Sequence, residues 1–291
     1  MDTQNLKAFQ AVAEHRSFSL AANELYLTQP AISKRIATLE AQLKCKLFDR
    51  IGRSIDLTPA GLALLPRARQ ILLDVSDTQQ LISDLSGAVQ GHLNLATSHH
   101  IGLHRLPPVL RQFTQHYPAA QLSLDFLDSE KAYKQVLQGN YDLAVITLAP
   151  EAVPQIKTLK LWKDELCLVA SPDHPLSQKK RLTLDDLSAY PAIMPDLSTY
   201  TTQLVKGLFD AENLPLDITM ATNHMDTIKM MSAIGLGWAV LPRSIVDKQL
   251  SLLKVRGVKL SRELGCIYHA ERTLSNAANT FLSLLQNASH I

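Results

Sequence analysis

Within one short stretch, Gln29, Ser33, Lys34 and Arg35 carry the groups that recognise nucleic acid: an amide and a hydroxyl for base edges, an ammonium and a guanidinium for guanine edges or phosphate. Arg50 and Arg53 stand on either side of Gly52. Guanidinium groups at the tip of a turn can reach backbone phosphate or the narrow minor groove. Further along, His99, His100 and His104 are the densest histidine cluster. Two of them are four apart, a spacing that can place imidazoles on one metal, but no Cys or Glu nearby completes a ligand set. They also fit a small-molecule contact or a plain polar surface. Ser98, Ser129, Thr147, Ser198, Thr199 and Thr227 stand where strands end or helices begin, and exposed N–H groups at helix starts favour anions. Each of these hydroxyls fits an ordinary helix cap as well.

The elements that must position these groups are legible in the first ninety residues. Leu6, Phe9, Val12 and Ala13 recur at helical spacing over about 3–14. Ser17 or Ser19 then caps a short helix with Leu20, Ala21, Ala22 and Leu25, whose small alanines permit close approach. Thr28 caps a third helix with Pro30 in its first turn. There Ile32, Ile36, Leu39 and Leu43 share one face, leaving Pro30 and Lys34 opposite and Gln29, Ser33 and Arg35 on the flanks. A short helix, a tight turn and a second helix with polar, cationic first turns is the layout of a helix-turn-helix reader. A three-helix bundle with an exposed cationic face is the alternative. Leu47–Leu57 reads as a hairpin turning at Gly52, a wing. From Thr58-Pro59 a long helix to about residue 86 carries Leu65, Ala68, Leu72, Val75, Gln79 and Ile82 at alternating spacings of three and four, a seam suited to a second copy.

Beyond Gly87 and Gly91, which bracket a hinge, strand-like and helical stretches alternate. Leu93–Thr97, Gln121–Phe126, Asp142–Ile146, Leu166–Ala170, Ala192–Met194, Ile218–Met220 and Ala239–Leu241 are the expected strands. One helix is expected from about residue 99 through Phe113, and others to about Gly139, at 199–211 and at 226–234. This alternation predicts an α/β domain whose ligand sits beyond the strand ends.

The distribution of charge is more informative than the net +2. Residues 28–69 hold eight Lys and Arg against Glu40, Asp49 and Asp56, whereas 70–90 hold Asp74, Asp77 and Asp84 and no cation, so only the first segment suits phosphates. No apolar run reaches the roughly 18 residues of a membrane span, and Met1–Asn5 lacks a signal's charge and apolar stretch, so a cytosolic protein without membrane contact is expected. Three cysteines, Cys45, Cys167 and Cys266, do not read as a disulfide framework. Cys167 and Cys266 fall on expected strands that could be neighbours, so a redox pair stands beside the reading as small core residues. Gly-x-Ser-x-Gly, phosphate-cradling, His-Glu-x-x-His and Cys-x-x-Cys motifs are absent, so no enzyme, cofactor or metal is indicated. An import solute-binding protein would explain only the second half.

The run Phe18-Ser-Leu-Ala-Ala-Asn-Glu-Leu-Tyr-Leu-Thr-Gln-Pro-Ala-Ile-Ser-Lys-Arg-Ile-Ala-Thr-Leu-Glu40, followed by Leu47-Phe48-Asp49-Arg50 and Leu57-Thr58-Pro59-Ala60-Gly61, resembles the signature of LysR-type transcriptional regulators. Gly139-Asn-Tyr-Asp-Leu-Ala-Val-Ile146, Pro172-Asp-His-Pro-Leu176 and Gly235-Leu-Gly-Trp-Ala-Val-Leu-Pro242 resemble that family's effector-binding domain, so the likeness spans essentially the whole chain. It implies an α+β multidomain protein. Residues 1–58 are then a winged helix-turn-helix, 59–86 a linker helix for dimerisation and 87–91 a hinge. Residues 92–291 become a two-lobed α/β domain like periplasmic binding proteins, with lobe one at about 92–163 and 268–291 and lobe two at about 164–267. By the same resemblance Thr28, Gln29, Pro30, Ser33, Lys34 and Arg35 correspond to recognition-helix contacts, and Arg50 and Arg53 to wing contacts. Lys34-Arg35 stands where Arg-Gln is frequent, which leaves the preferred bases open. The implied partners are double-stranded DNA bearing an interrupted palindrome, a small-molecule effector held between the lobes, and further copies of the chain, a dimer commonly assembled into a tetramer. RNA polymerase is a further candidate.

Overall fold

The structure, a computed structural model, describes residues 2–51, 54–85 and 87–289. The chain divides into two compact units, Met1–Ser86 and Gly87–Ile291.

In the first unit, α1 (Thr3–His15), α2 (Phe18–Glu24) and α3 (Gln29–Leu43) are each started by a side-chain cap: Asp2, Ser17 and Thr28 accept from the backbone N–H of Gln4, Leu20 and Ala31. These bonds satisfy N–H groups that have no intrahelical partner, so polar residues at these positions fix where each helix begins. Phe9 and Phe18 pack on Phe48, ring centroids 5.4 and 5.9 Å away. Ile32, Ile36 and Leu39 of α3 are buried in the same core, while Leu43, expected on that face, is 37% exposed at the helix end. Strands β1 (Phe48–Ile51) and β2 (Ser54–Leu57) form the expected hairpin, with Ile51 opposite Ser54. Its turn, with Gly52 and Arg53, lies outside the described residues.

Helix α4 (Pro59–Asp84) spans 26 residues, roughly 39 Å at 1.5 Å per residue. Thr58 starts it, its hydroxyl accepting from Gly61 N at 3.0 Å and donating to Lys46 O at 2.7 Å. The expected seam is divided between two environments. Ala68 is fully buried, and Leu65 and Leu72 pack against the three-helix core. Val75 and Ile82 are 38% and 62% exposed, and Leu81 and Leu85 beside them are exposed too.

The second unit runs β3 (Gly91–Thr97), α5 (His99–His104), α6 (Pro107–His116), β4 (Ala120–Phe126), α7 (Ser129–Leu137), β5 (Leu143–Thr147), β6 (Ile156–Ala170), α8 (Leu184–Ser188), β7 (Ala192–Met194), α9 (Tyr200–Ala211), β8 (Ile218–Ala221), α10 (Met225–Ala233), β9 (Trp238–Pro242), β10 (Ser251–Leu252), β11 (Leu260–His269) and α11 (Asn276–Ser289). The single helix expected through Phe113 is two, α5 and α6. Pro107 and Pro108 have no N–H to continue an α-helical ladder, so a new helix starts there. Strand order is β4-β3-β5-β11-β6-β9-β7-β8, with β10 on β6. Parallel pairs β3–β4, β3–β5, β7–β8 and β7–β9 form one small sheet in each lobe. The antiparallel strands β6 and β11 run from one to the other. Only 166–170 of β6 is an expected strand, because Lys157, Lys160, Lys163, Asp164 and Glu165 give its first part the polarity of a surface loop.

The return strand reaches the first lobe earlier than the expected boundary at 268: Leu264, Cys266 and Ile267 are already in first-lobe cores. A bulge at Leu264/Gly265 accompanies the passage. A Cβ on Gly265 would lie 2.3 Å from Leu159 O, so only glycine lets the two strands approach this closely. In the second lobe Trp238 stacks on Phe209 at 5.8 Å and donates from its indole N–H to the carbonyls of Leu187 and Tyr190, both at 3.1 Å.

Candidate DNA-reading face and inter-lobe cleft

On α3, burial of Ile32, Ile36 and Leu39 turns Thr28, Gln29, Pro30 and Lys34 outward as exposed residues and leaves Ser33 and Arg35 half-buried on the flanks. Gln29 Nε2 donates to Ser33 Oγ at 3.0 Å, so the amide and hydroxyl form one polar surface. Arg35 is held differently: its Nη1 donates to Gln4 Oε1 of α1 at 3.2 Å, which aims it along the α1 edge. Tyr26, in the turn before α3, has a φ of 52° and a 95% exposed side chain. Nothing in helical periodicity singles it out, because a turn residue has no face. Arg50 lies on β1, and Arg53 is outside the described residues.

In the second unit a cleft of about 260 Å³ opens between the lobes. Five strand-end or helix-start candidates, Ser98, His99, His100, Ser129 and Thr147, meet on its first-lobe wall, and Thr199 faces them from α9. Ser98 precedes α5 without making a side-chain cap bond. Thr199 does cap, accepting from Thr202 N at 3.3 Å while donating to Asp196 O at 2.8 Å. Ser129 Oγ accepts from Thr147 N at 3.1 Å. Two candidates stand apart from this cleft. Ser198 hydrogen-bonds Asp196 and is not on the wall. Thr227 lines a smaller neighbouring cavity with His104 and Asp226.

The histidines pack edge-on or tilted against neighbouring rings instead of converging on a point. His99 lies edge-on to Phe126 and to His224 of the other lobe, both at 4.8 Å, and His100 tilts against His104 at 5.0 Å. Among the described residues no three His, Cys, Asp or Glu side chains form a metal-holding group. His100 is 5% exposed on the cleft wall, and both its ring nitrogens are buried with no hydrogen-bond partner among the described residues. Burial first, then the charge of Arg262, lowers this imidazole to about 3, so the ring is neutral at ordinary pH.

Arg262, Glu130 and Asn223 carried no sequence signal, because each meets its partner only through the tertiary fold, 98, 70 and 95 residues away. Arg262 of β11 faces its register partner Asp164 of β6, its Nε donating to Asp164 Oδ2 at 2.9 Å and its Nη1 to Thr201 Oγ1 at 2.8 Å. Both ends of this pair are buried. Two bonds tie the lobes across the cleft: Tyr200 N donates to Glu130 Oε1 at 2.8 Å, and Asn223 Nδ2 to Asp128 Oδ1 at 2.9 Å. Burial raises the Glu130 carboxyl above its usual range, although the bond from Tyr200 N–H opposes the shift. Burial and the nearby Glu130 push the Tyr200 phenol up to about 12.

The two strand cysteines are not neighbours. Cys266 faces Leu159 in the first-lobe stretch of β6, whereas Cys167 lies in the stretch paired with β9. Burial raises both thiols, which disfavours the reactive thiolate.

A capped helix-turn-helix with a wing, joined in sequence to a two-lobed α/β unit with a polar cleft, defines a ligand-responsive DNA-binding protein. The chain matches the family model for the LysR substrate binding domain over residues 86–289 and that for the bacterial regulatory helix-turn-helix protein, lysR family, over residues 3–62. It is 31% identical over 284 residues to the HTH-type transcriptional activator CmpR of Synechocystis sp., covering 96% of this chain and 93% of that one. Its fold resembles full-length CbnR, a LysR family regulator solved with its target DNA, with TM-score 0.62 at 23% identity over 99% of this chain and 100% of that one. It also resembles the effector binding domain of QuiR in complex with shikimate, with TM-score 0.62 at 20% identity over 69% of this chain and 98% of that one. This chain belongs to the LysR family. It is a DNA-binding transcriptional regulator with an effector-binding domain, and not an enzyme. Among the described residues no helix is long and apolar enough to cross a membrane.

Proposed function

We propose that the chain reads an interrupted palindrome as a dimer, with α3 in the major groove and the hairpin on the flanking backbone or minor groove. Thr28, Gln29, Pro30, Ser33, Lys34 and Arg35 supply the recognition-helix contacts, and Arg50 and Arg53 those of the wing. The exposed apolar residues of α4, Val75, Ile82 and Leu85, support pairing through that helix, because a soluble chain gains by burying such a stripe against a copy of itself. A tetramer and a contact to RNA polymerase extend the same reading, as does a site of action in the cytosol, where operator DNA is.

The effector is a small polar molecule in the inter-lobe cleft, contacted by Ser98, His99, His100, Ser129, Thr147 and Thr199. Ser198 and Thr227, which stand apart from this wall, remain the further candidates for effector contact. The observation that carries this assignment is His100, since a buried imidazole with neither nitrogen paired is costly unless something else completes its bonds.

Selection of genomic fragments by the purified full chain, at two salt concentrations and with non-specific competitor, tests the reading. Enrichment of a two-fold-related, spaced motif is expected, with occupancy falling steeply as salt rises. A folded dimer that enriches no site refutes it.

A further inference from the structure

The cleft already holds an anion of its own. Glu130 belongs to the first lobe, yet its carboxylate accepts from Tyr200 N, the first N–H of the 12-residue helix α9 in the second lobe. That position is where a helix offers unpaired N–H groups and the positive end of its dipole. Among the described residues no cation forms an ion pair with Glu130, although the charge of Arg262 reaches it. Arg262 is itself bonded to Asp164 and Thr201, and Lys131 pairs with Asp128 at 3.0 Å. Glu130 therefore gives up hydration for backbone N–H groups alone, those of Tyr200 and of its own residue, and burial still outweighs them, since its carboxyl pKa is raised. On the same wall His100 has the opposite problem, two ring nitrogens with no partner at 5% exposure. A neutral imidazole presents one donor and one acceptor. A hydroxyl, which both donates and accepts, can pair with whichever nitrogen faces it.

We propose that Glu130 is a built-in occupant of the effector subsite, a latch that joins the lobes in the unliganded chain. The effector is a small hydroxy-carboxylic acid whose carboxylate displaces Glu130 from the N-terminus of α9 while its hydroxyl pairs with His100. This rests on the cleft being the effector site. The exchange swaps one carboxylate for another at the helix terminus, returns Glu130 to water, and completes the bonds of His100. Latch release and ligand capture are thereby one event, and the lobe-to-lobe tie passes from the protein to the ligand.

Two measurements on the full chain test this. Hydrogen exchange of the first turn of α9 should speed up at the Tyr200 amide in Glu130→Ala, and an unchanged rate overturns the latch whatever binds. Calorimetry then compares shikimate, a hydroxy-acid probe, with benzoate, which lacks the hydroxyl, and with methyl shikimate, which lacks the charge. Shikimate should bind about tenfold or more tightly to Glu130→Gln than to the natural chain, since its carboxylate no longer competes with a charged one. Benzoate should bind more weakly, and methyl shikimate should not bind. His100→Leu should erase the advantage of shikimate over benzoate. Equal affinities in the natural chain and Glu130→Gln overturn the displacement, and a preference for the neutral ester overturns the acid. If neither acid binds either protein at millimolar concentration, the effector class assigned here is wrong. Loss of operator selection, by contrast, would be a failure of the regulator reading and not of the latch.

Discussion

His100 makes the cleft sensitive to acid. Its imidazole is lowered to about 3 in the folded chain, so between the ordinary histidine range and that value the unfolded chain binds the extra proton and the folded one does not. Stability of the second unit is therefore full above about pH 6.5 and falls as pH drops, by ~2 kcal/mol at pH 5. Glu130 acts with the opposite sign: its raised carboxyl keeps a proton that the unfolded chain has lost, so its contribution declines as pH rises from the ordinary carboxylate range toward its raised value. Thermal denaturation against pH should lose its acid-side slope in His100→Leu and show a steeper one in Glu130→Gln. A His100→Leu profile that matches the natural chain would show that the ring does not titrate as described. On the reading face, Ser33→Ala should weaken specific operator binding by ~1–3 kcal/mol while leaving self-association unchanged, as read by anisotropy and sedimentation. Unaltered operator affinity would remove Ser33 from the contacts. At this scale the sequence was informative where position along one element decides the role: Thr28 and Ser33 need only the helical period of α3. It was silent on Glu130, Asn223 and Arg262, which matter through partners 70, 95 and 98 residues away.

Among the elements, α4 and the crossing strands carry the sharpest expectations. The first half of α4 is anchored by Ala68 and the neighbouring leucines, so a charge in its second half should spare the fold. Ile82→Glu is expected to leave the melting of the first unit unchanged and to shift sedimentation toward monomer, with loss of palindrome binding. Persistence of the dimer would place the interface elsewhere. On the crossing strands, Asp164→Ala strands the buried Arg262 guanidinium without its carboxylate and should cost ~3–5 kcal/mol, read by denaturant unfolding. A loss below 1 kcal/mol would mean that water or Thr201 carries the charge. Most elements were legible because their signals are local: capping residues open α2, α3 and α4, and apolar runs mark β5 and β9. The early part of β6 was not, since a strand passing between lobes carries charges and lacks the apolar run of a core strand. Nor was the break between α5 and α6 expected, although Pro107-Pro108 states it chemically.

For the whole molecule, the family assignment joins a DNA-binding unit and an effector-binding unit in one chain, and an effector that modulates such a regulator does so through a coupling free energy between the two. Linkage requires that coupling to be reciprocal: whatever factor the effector applies to operator affinity, operator DNA must apply to effector affinity. The most direct measurement is therefore a pair of titrations on the full chain, operator binding with and without a cleft-binding acid, and acid binding with and without operator. The account predicts equal factors in the two directions. An acid that occupies the cleft and leaves operator affinity untouched would contradict it.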